Sequence, residues 1–223
     1  MIDQNWIAEK LATLDRDDLA KRAFAALKAD LKMGSPTLAA FADAHGGVPS
    51  SGMFEPDDYP ELQGEMDQFL RDRAAQLVED EIENLAFDLE IESEAIQIWR
   101  AMIVPGDWVE NGLSEGGIGV CWAFDPVGAV SHDGGGGDET CHDIKMHATV
   151  DFYDVDWPET IVLNAVDTDT VGEEYEIRLK PEAHVNLLSI IDQMTDEVLL
   201  ECSLRPRRIS VWEEGYVAKA MSR

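Results

Sequence analysis

Basic residues are scarce in this chain. Its 223 residues include 17 lysines and arginines against 46 aspartates and glutamates, which gives a formal net charge of -29. Proteins that bind nucleic acid neutralise phosphates with clusters of lysine and arginine, and an acidic surface repels those phosphates instead. Direct binding of DNA or RNA is therefore disfavoured.

Cysteine and long apolar runs are also lacking. The three cysteines are an odd number without framework spacing, which argues against a disulfide scaffold. No stretch approaches the ~18 consecutive apolar residues of a membrane-spanning helix. The N-terminal sequence MIDQNWIAEKL has neither the basic nor the apolar region of a secretion signal. We therefore expect a cytoplasmic protein that does not enter the membrane.

The acidity has three explanations. It can keep the protein dispersed, steer the protein toward a partner with a basic surface, or mimic the phosphates of DNA. Residues 1–95 carry 22 acidic and 8 basic side chains, and residues 96–223 carry 24 and 9. A dedicated mimic would concentrate its charge, so this even distribution favours solubility as the simplest explanation.

The first part of the chain has helical periodicity. Residues 5–15, 17–32, 37–44 and 61–89 are predicted as helices, and residues 48–60 as a loop. In the last helix, the run Glu79-Asp80-Glu81 with Glu83 is expected on a solvated face.

The pattern changes near residue 95, where β-branched and aromatic residues begin to alternate. Asp125 followed by Pro126 resembles the start of a helix, and residues 158–164 fit either a strand or a short helix. Several strands without regular intervening helices predict an α+β fold with a largely antiparallel sheet system. We therefore divide the chain into a helical N-terminal region, 1–95, and an α+β domain, 96–223. Strands are predicted at 95–104, 118–124, 144–153, 173–179, 184–191, 197–204 and 207–212.

Metal and phosphate motifs are weak. The glycine run 134–137 is not followed by the Gly-Lys-Ser/Thr of a phosphate-binding loop. Cysteines and histidines of the second half have neither a close Cys-x-x-Cys pair nor zinc-finger spacing, so no metal site is predicted. The residues in question are Cys121, His132, Cys141, His142 and His147.

Three segments of the second half occur in an order that is typical of one family. The first is a strand with an arginine, IQIWRAM at residues 96–102, and the second is the aromatic-rich IGVCWAFDP at 118–126. The third, GEEYEIRL at 172–179, contains a Glu-x-Glu pair. This order resembles the ADP-ribosyltransferase superfamily of the arginine–serine–glutamate type, particularly its small phage and bacterial members. The resemblance covers roughly residues 96–212.

The resemblance implies a site for NAD as substrate. Arg100 would contact the phosphates or the nicotinamide ribose. Glu176 would bind the ribose 2′-hydroxyl and stabilise an oxocarbenium-like state. Glu174 would orient or deprotonate the acceptor, and Trp122 or Phe124 would stack on nicotinamide. The implied reaction is transfer of ADP-ribose from NAD to a protein side chain, as in a phage or bacterial effector.

One position departs from the family pattern. Where the family has a Ser-Thr-Ser-like strand, this chain has Trp122-Ala123-Phe124, so Ala123 replaces the expected hydroxyl. That serine positions the glutamate and the ribose. The alternative is therefore a catalytically inactive member or a non-enzymatic acidic protein that binds a basic partner, such as an inhibitor of a host machine.

The resemblance also makes a geometric prediction. Arg100, Trp122 and Glu176 should line one cleft although they are far apart in sequence. The glycine-rich loop 131–140 should border this cleft and be mobile.

Overall fold

The computed structural model describes residues 5–29, 36–44, 62–111, 113, 117–129, 141–167, 175–202 and 204–211. These residues belong to two compact units. The helical unit contains the described residues between 5 and 87 together with 161–167. The sheet unit contains those of 88–160 and 175–211.

The helical unit is built from amphipathic helices. Asp15 accepts a hydrogen bond from the backbone N–H of Asp18 (3.1 Å) at the start of the second helix, which satisfies a donor that has no partner within the helix. The helices of the N-terminal part are α1 (Asn5–Leu11), α2 (Arg16–Ala29), α3 (Pro36–Ala44) and α4 (Gln63–Asp88).

Two ion pairs join α2 to α4. Lys28 Nζ lies 2.7 Å from Asp67 Oδ1, and Arg16 Nε lies 3.7 Å from Glu79 Oε1. The residue number rises along α2 as it falls along α4, so the two helices run antiparallel. Apolar side chains of three helices pack together in this unit: Phe24, Phe41, Met66, Phe69 and Leu70.

The sheet unit contains eight described strands. They are β1 (Ile91–Glu92), β2 (Ala95–Pro105), β3 (Cys121–Ala123), β4 (Cys141–Asp151), β5 (Glu176–Arg178), β6 (His184–Asp192), β7 (Val198–Glu201) and β8 (Arg207–Ser210). Their order is β5-β3-β2-β4-β6-β7, with β1 beside β2 and β8 beside β6. Every pairing is antiparallel. The remaining elements are helix α5 (Trp108–Asn111), a 3-10 turn (Phe152–Asp154) and helix α6 (Trp157–Asp167).

The long strands β2 and β4 form the centre of the sheet. They pair over their whole length, from Ala95 opposite Asp151 to Pro105 opposite Cys141. Alternate side chains point to one face, which we call the core face because its central members are fully buried. Those members are Ile96, Ile98, Ile144, Met146, Ala148 and Val150.

The sheet curls, so that segments from distant positions in the strand order approach each other. The N–H of Gly119, just before β3, donates to the carbonyl of Val211, just after β8 (2.8 Å). Val211 in turn donates to Ala183, just before β6 (3.2 Å). The outer edge of β5 is covered as well, because Arg178 N donates to Thr160 Oγ1 (3.0 Å).

The α+β architecture predicted from the sequence is confirmed, and every described strand follows residue 90. The segment 158–164 is helical, as part of α6. The predicted loop at 48–60 lies outside the described residues.

Two local predictions are wrong. β3 is shorter than the predicted strand 118–124, because Gly117 and Gly119 adopt positive φ angles of 71° and 82°. No helix begins at Asp125, where the described residues 124–128 form bends and turns. The Asp125 carboxylate accepts a hydrogen bond from the N–H of Val127, and the N–H of Ala129 donates to the Asp125 carbonyl (3.2 Å), so a single turn forms that does not continue into a helix.

Candidate functional site

The three strands singled out in the sequence are neighbours in the sheet. Arg100 lies on β2, Ala123 on β3 and Glu176 on β5, and these strands follow one another in the order β5-β3-β2. The register places Ala123 opposite both Glu176 and Trp99. Paired residues of antiparallel strands project to the same face. Ala123 and Glu176 therefore share one face of the sheet.

Glu176 lies in a polar cluster with Cys121 and Arg178. Arg178 Nε is 3.7 Å from Glu176 Oε1, and Arg178 Nη1 also contacts the Cys121 sulfur. Burial raises the pKa of the Cys121 thiol, and the charge and hydrogen bond of Glu176 raise it further, against the opposing charges of Arg178 and Arg100. The thiol is held in its protonated form, so Cys121 is not an activated nucleophile.

Arg100 projects to the face opposite that of Ala123 and Glu176. It follows Trp99 on β2, and adjacent residues of a strand point to opposite faces. Its Nη1 donates to the backbone carbonyl of Cys121. A Cβ atom added to Gly119 would lie only 2.9 Å from Arg100 Nη2, so the guanidinium rests directly on that glycine. The guanidinium thus packs against Gly119 and supplies a donor to the backbone of β3.

The two aromatic candidates are core residues. Trp122 is 3% exposed, pairs with Ile177, and donates its indole N–H to the carbonyl of Gly119 (3.0 Å). Phe124 is also buried and meets the ring of Tyr175 edge to face, with 5.4 Å between ring centroids. Both rings are engaged by the protein and offer no open stacking surface.

The structure therefore separates the candidates into two groups. Arg100 and Trp122 meet at Gly119 on one face, and Ala123 and Glu176 pair on the other. The pairing of these strands therefore gives no support to the prediction that Arg100, Trp122 and Glu176 line a single cleft. Glu174 and the loop 131–140 lie outside the described residues.

Two histidines of the second half, His142 and His147, have partners within the protein, and His132 lies outside the described residues. His142 Nδ1 lies 2.7 Å from Asp192 Oδ2, and the ring of His147 stacks on Trp99 with 4.9 Å between centroids. His147 Nε2 also hydrogen-bonds Gln97 Oε1 (2.7 Å). Within the described part of the chain, no group of three or more His, Cys, Asp or Glu side chains is placed to hold a metal ion.

A second candidate site lies on α4, in the helical unit. Asp80, Glu83, Asn84 and Phe87 are all exposed, and their spacing of three, four and seven residues puts them on one side of the helix. The Phe87 side chain is 74% exposed. We call these four residues the Phe87 patch. Glu81, expected on the solvated face, is instead only 6% exposed, because it belongs to the buried side of the helix.

Helix α4 as a whole is acidic. It carries eight carboxylates and two arginines, a net charge of 2 − 8 = −6 over its 26 residues. Asp67 and Glu79 are used in ion pairs with α2. No ion pair is found for Asp80 or Glu83 among the described residues. The helical spacing of these four residues can be read from the sequence. The exposure of Phe87, which makes them a candidate binding site, comes from the structure.

Comparisons with protein-family models, with curated proteins and with solved structures found no match to this chain. Among the described helices, none is both long enough and apolar enough to cross a membrane.

Proposed function

We propose that this protein acts by binding a partner protein with a basic surface through the Phe87 patch. The observation that carries the proposal is an aromatic ring, 74% exposed, in line with the exposed carboxylates of Asp80 and Glu83 on one side of α4. Protein interfaces are enriched in aromatic residues and have a polar rim, and an exposed aromatic side chain among carboxylates matches that composition.

The chemistry of the partner follows from the patch. Aromatic residues contribute much of the energy of protein interfaces when they fill a pocket, and the surrounding polar rim excludes water. Carboxylates at this rim favour lysine or arginine on the partner and speed the encounter. The complementary surface is an apolar recess for Phe87 flanked by basic side chains. The net charge of -29 extends the same attraction over a longer range.

The geometry around Glu176 also favours a binding role over catalysis. Arg100 is used in contacts with Cys121 and Gly119, and Glu176 is paired with Arg178. Residues that would have to converge on a dinucleotide instead support the backbone and one another. The phosphates of NAD would also be repelled by the strongly acidic protein.

A defined probe tests the proposal. A synthetic helical peptide with leucines on one side and lysines flanking them should bind the protein, measured by fluorescence anisotropy. Two matched peptides serve as controls, one with glutamate in place of lysine and one with serine in place of leucine. Both should bind at least about tenfold more weakly, a difference of about 1.4 kcal/mol. Equal binding of all three peptides would reject the proposal.

A second candidate function is transfer of ADP-ribose from NAD to a protein side chain. It is favoured by one observation, the direct pairing of Ala123 with Glu176 on neighbouring strands. The glycosidic bond between nicotinamide and ribose would break, nicotinamide would leave with the bonding electron pair, and the acceptor atom would bond to the ribose carbon and lose its proton. Glu176 would stabilise the positive charge that develops at the ribose. If the chain is active, wild type releases nicotinamide from NAD, and Glu176→Gln does not.

A further inference from the structure

A polar depression of about 370 Å³ lies on the sheet unit, and its lining shares no residue with the cluster around Glu176. Its lining comes from the end of β4, the following 3-10 turn, the start of β6, and β8. The lining residues are Asp151, Asp154, His184, Asn186 and Arg208. The volume is within the range of small-molecule sites, and all five lining residues are polar. A ligand of this depression must therefore offer polar groups on several sides.

The depression has a cationic side. Arg208 on β8 lies directly opposite Asn186 on β6, so the two side chains project to the same face. Within the described part of the chain, Arg208 forms no ion pair. The guanidinium and the neighbouring amide are suited to bind a carboxylate.

The depression also has an anionic side. Asp151 Oδ1 accepts a hydrogen bond from the N–H of Tyr153 (2.8 Å), and Asp154 Oδ2 accepts one from the N–H of His184 (3.3 Å). These bonds hold both carboxylates in place and use one oxygen of each. The other oxygens are suited to bind an ammonium group.

The two sides are held apart by the sheet. β4 and β8 pair with opposite edges of β6, so Asp151 and Arg208 are separated by two strand spacings across the sheet and two residues along it, roughly 12 Å between their backbones. A molecule with opposite charges at its two ends can bridge them. A purely anionic ligand would be repelled by the net charge of -29, and a purely cationic one would leave Arg208 and Asn186 without a carboxylate to bind.

We infer that this depression binds a small zwitterion, with its carboxylate at Arg208 and Asn186 and its ammonium at Asp151 and Asp154. The inference does not depend on the Phe87 patch, which belongs to the other unit.

The test uses ω-amino acids of increasing length, namely glycine, β-alanine and 4-aminobutyrate. Each is titrated into the full chain and followed by the backbone amide NMR signals of Asn186 and Arg208. Acetate, propionate and butyrate, with the corresponding alkylamines, are the singly charged controls. At least one zwitterion should bind about tenfold or more tightly than both of its singly charged analogues. The inference is wrong if no zwitterion exceeds its analogues.

Variants locate the site. Arg208→Gln and Asp151→Asn should each weaken binding of the best zwitterion about tenfold or more. Asparagine can still cap the 3-10 turn, so the second variant removes charge without removing the turn. Arg207→Gln is the matched control, because its side chain projects to the opposite face of the same strand. An equal loss in the Arg207→Gln control would overturn the assignment.

Discussion

Ala123 on β3 lies directly opposite Glu176 on β5. Ala123 also pairs with Trp99 on β2, and Arg100, the residue after Trp99, projects to the other face of the sheet. This relationship separates two accounts of the sheet unit. If Glu176 serves catalysis, Ala123 is the position from which a hydroxyl would reach it. If the cluster is structural, a hydroxyl at that position changes stability alone.

The first prediction is that Ala123→Ser does not create activity. Nicotinamide release from NAD should remain at background, because Arg100 stays on the other face. The variant should lose up to roughly 1–3 kcal/mol of unfolding free energy if the new hydroxyl at this buried position finds no partner. Nicotinamide release that appears in Ala123→Ser and disappears in Ala123→Ser/Glu176→Gln would favour ADP-ribosyl transfer instead.

The second prediction concerns Gly119. Its φ of +82° and its contact with the Arg100 guanidinium both oppose a side chain. Gly119→Ala should therefore lower the free energy of unfolding by about 1–3 kcal/mol, measured in urea. Gly64→Ala is the matched control, since a Cβ at that helical position meets nothing within 4 Å. The control should be neutral or stabilising by up to about 1 kcal/mol. Equal effects of the two substitutions would contradict both the backbone strain at Gly119 and its close contact with Arg100.

The third prediction concerns Asp192 and pH. The hydrogen bond from His142 lowers the pKa of this carboxyl group below its ordinary 3.8, against the effect of burial, and the N–H groups of Thr195 and Met194 add to the lowering. A carboxyl group with a lowered folded-state pKa stabilises the protein above its unfolded pKa, and the stability is lost as pH falls through the folded value. Asp192→Asn should cost roughly 1.5–3 kcal/mol near neutral pH.

The measurement for Asp192 is the free energy of unfolding of wild type and Asp192→Asn at a series of pH values. The difference between the two should be constant at neutral pH and should shrink below the ordinary pKa of 3.8. A difference that does not change on acidification would show that the charge of Asp192 contributes nothing.

The fourth prediction concerns His147, which stacks on Trp99 and bonds Gln97. Burial lowers the pKa of this imidazole below 6.5, and the charges of Glu90, Glu92 and Glu201 oppose that effect. Protonation therefore favours the unfolded state, and the contribution of His147 to stability falls as pH falls through 6.5. An NMR titration should give a pKa below that value, and Glu92→Gln should lower it further. A pKa above 6.5 in wild type is the contrary result.

Much of the fold could be predicted because its signals are local. The spacing of apolar residues predicts a helix over 61–89, and α4 runs from Gln63 to Asp88. The β-branched run predicts a strand over 95–104, and β2 runs from Ala95 to Pro105. In both elements the pattern that selects the structure lies within the element itself.

The candidate site was harder to predict because it depends on register. Whether Arg100 and Glu176 share a face is decided by pairing between strands that are far apart in the chain, and a shift of one residue reverses every side chain. The order of the motifs predicts neighbouring strands but not their faces. The His142–Asp192 bond, across a sequence separation of 50, has no local signal either.

The most direct test of the proposed function is a comparison of charge-reversed variants in binding the leucine–lysine peptide. Asp80→Lys/Glu83→Lys alters the Phe87 patch, and Glu9→Lys/Asp43→Lys is the matched control. Each pair makes two reversals and moves the net charge from -29 to -29 + 4 = -25. The control positions are exposed, and they lie in the last turns of α1 and α3, where lysine suits the helix dipole. We predict that Phe87→Ala and the patch variant each weaken binding about tenfold or more while the control changes it little. Equal weakening by patch and control variants, or unchanged binding in Phe87→Ala, would contradict the proposed function.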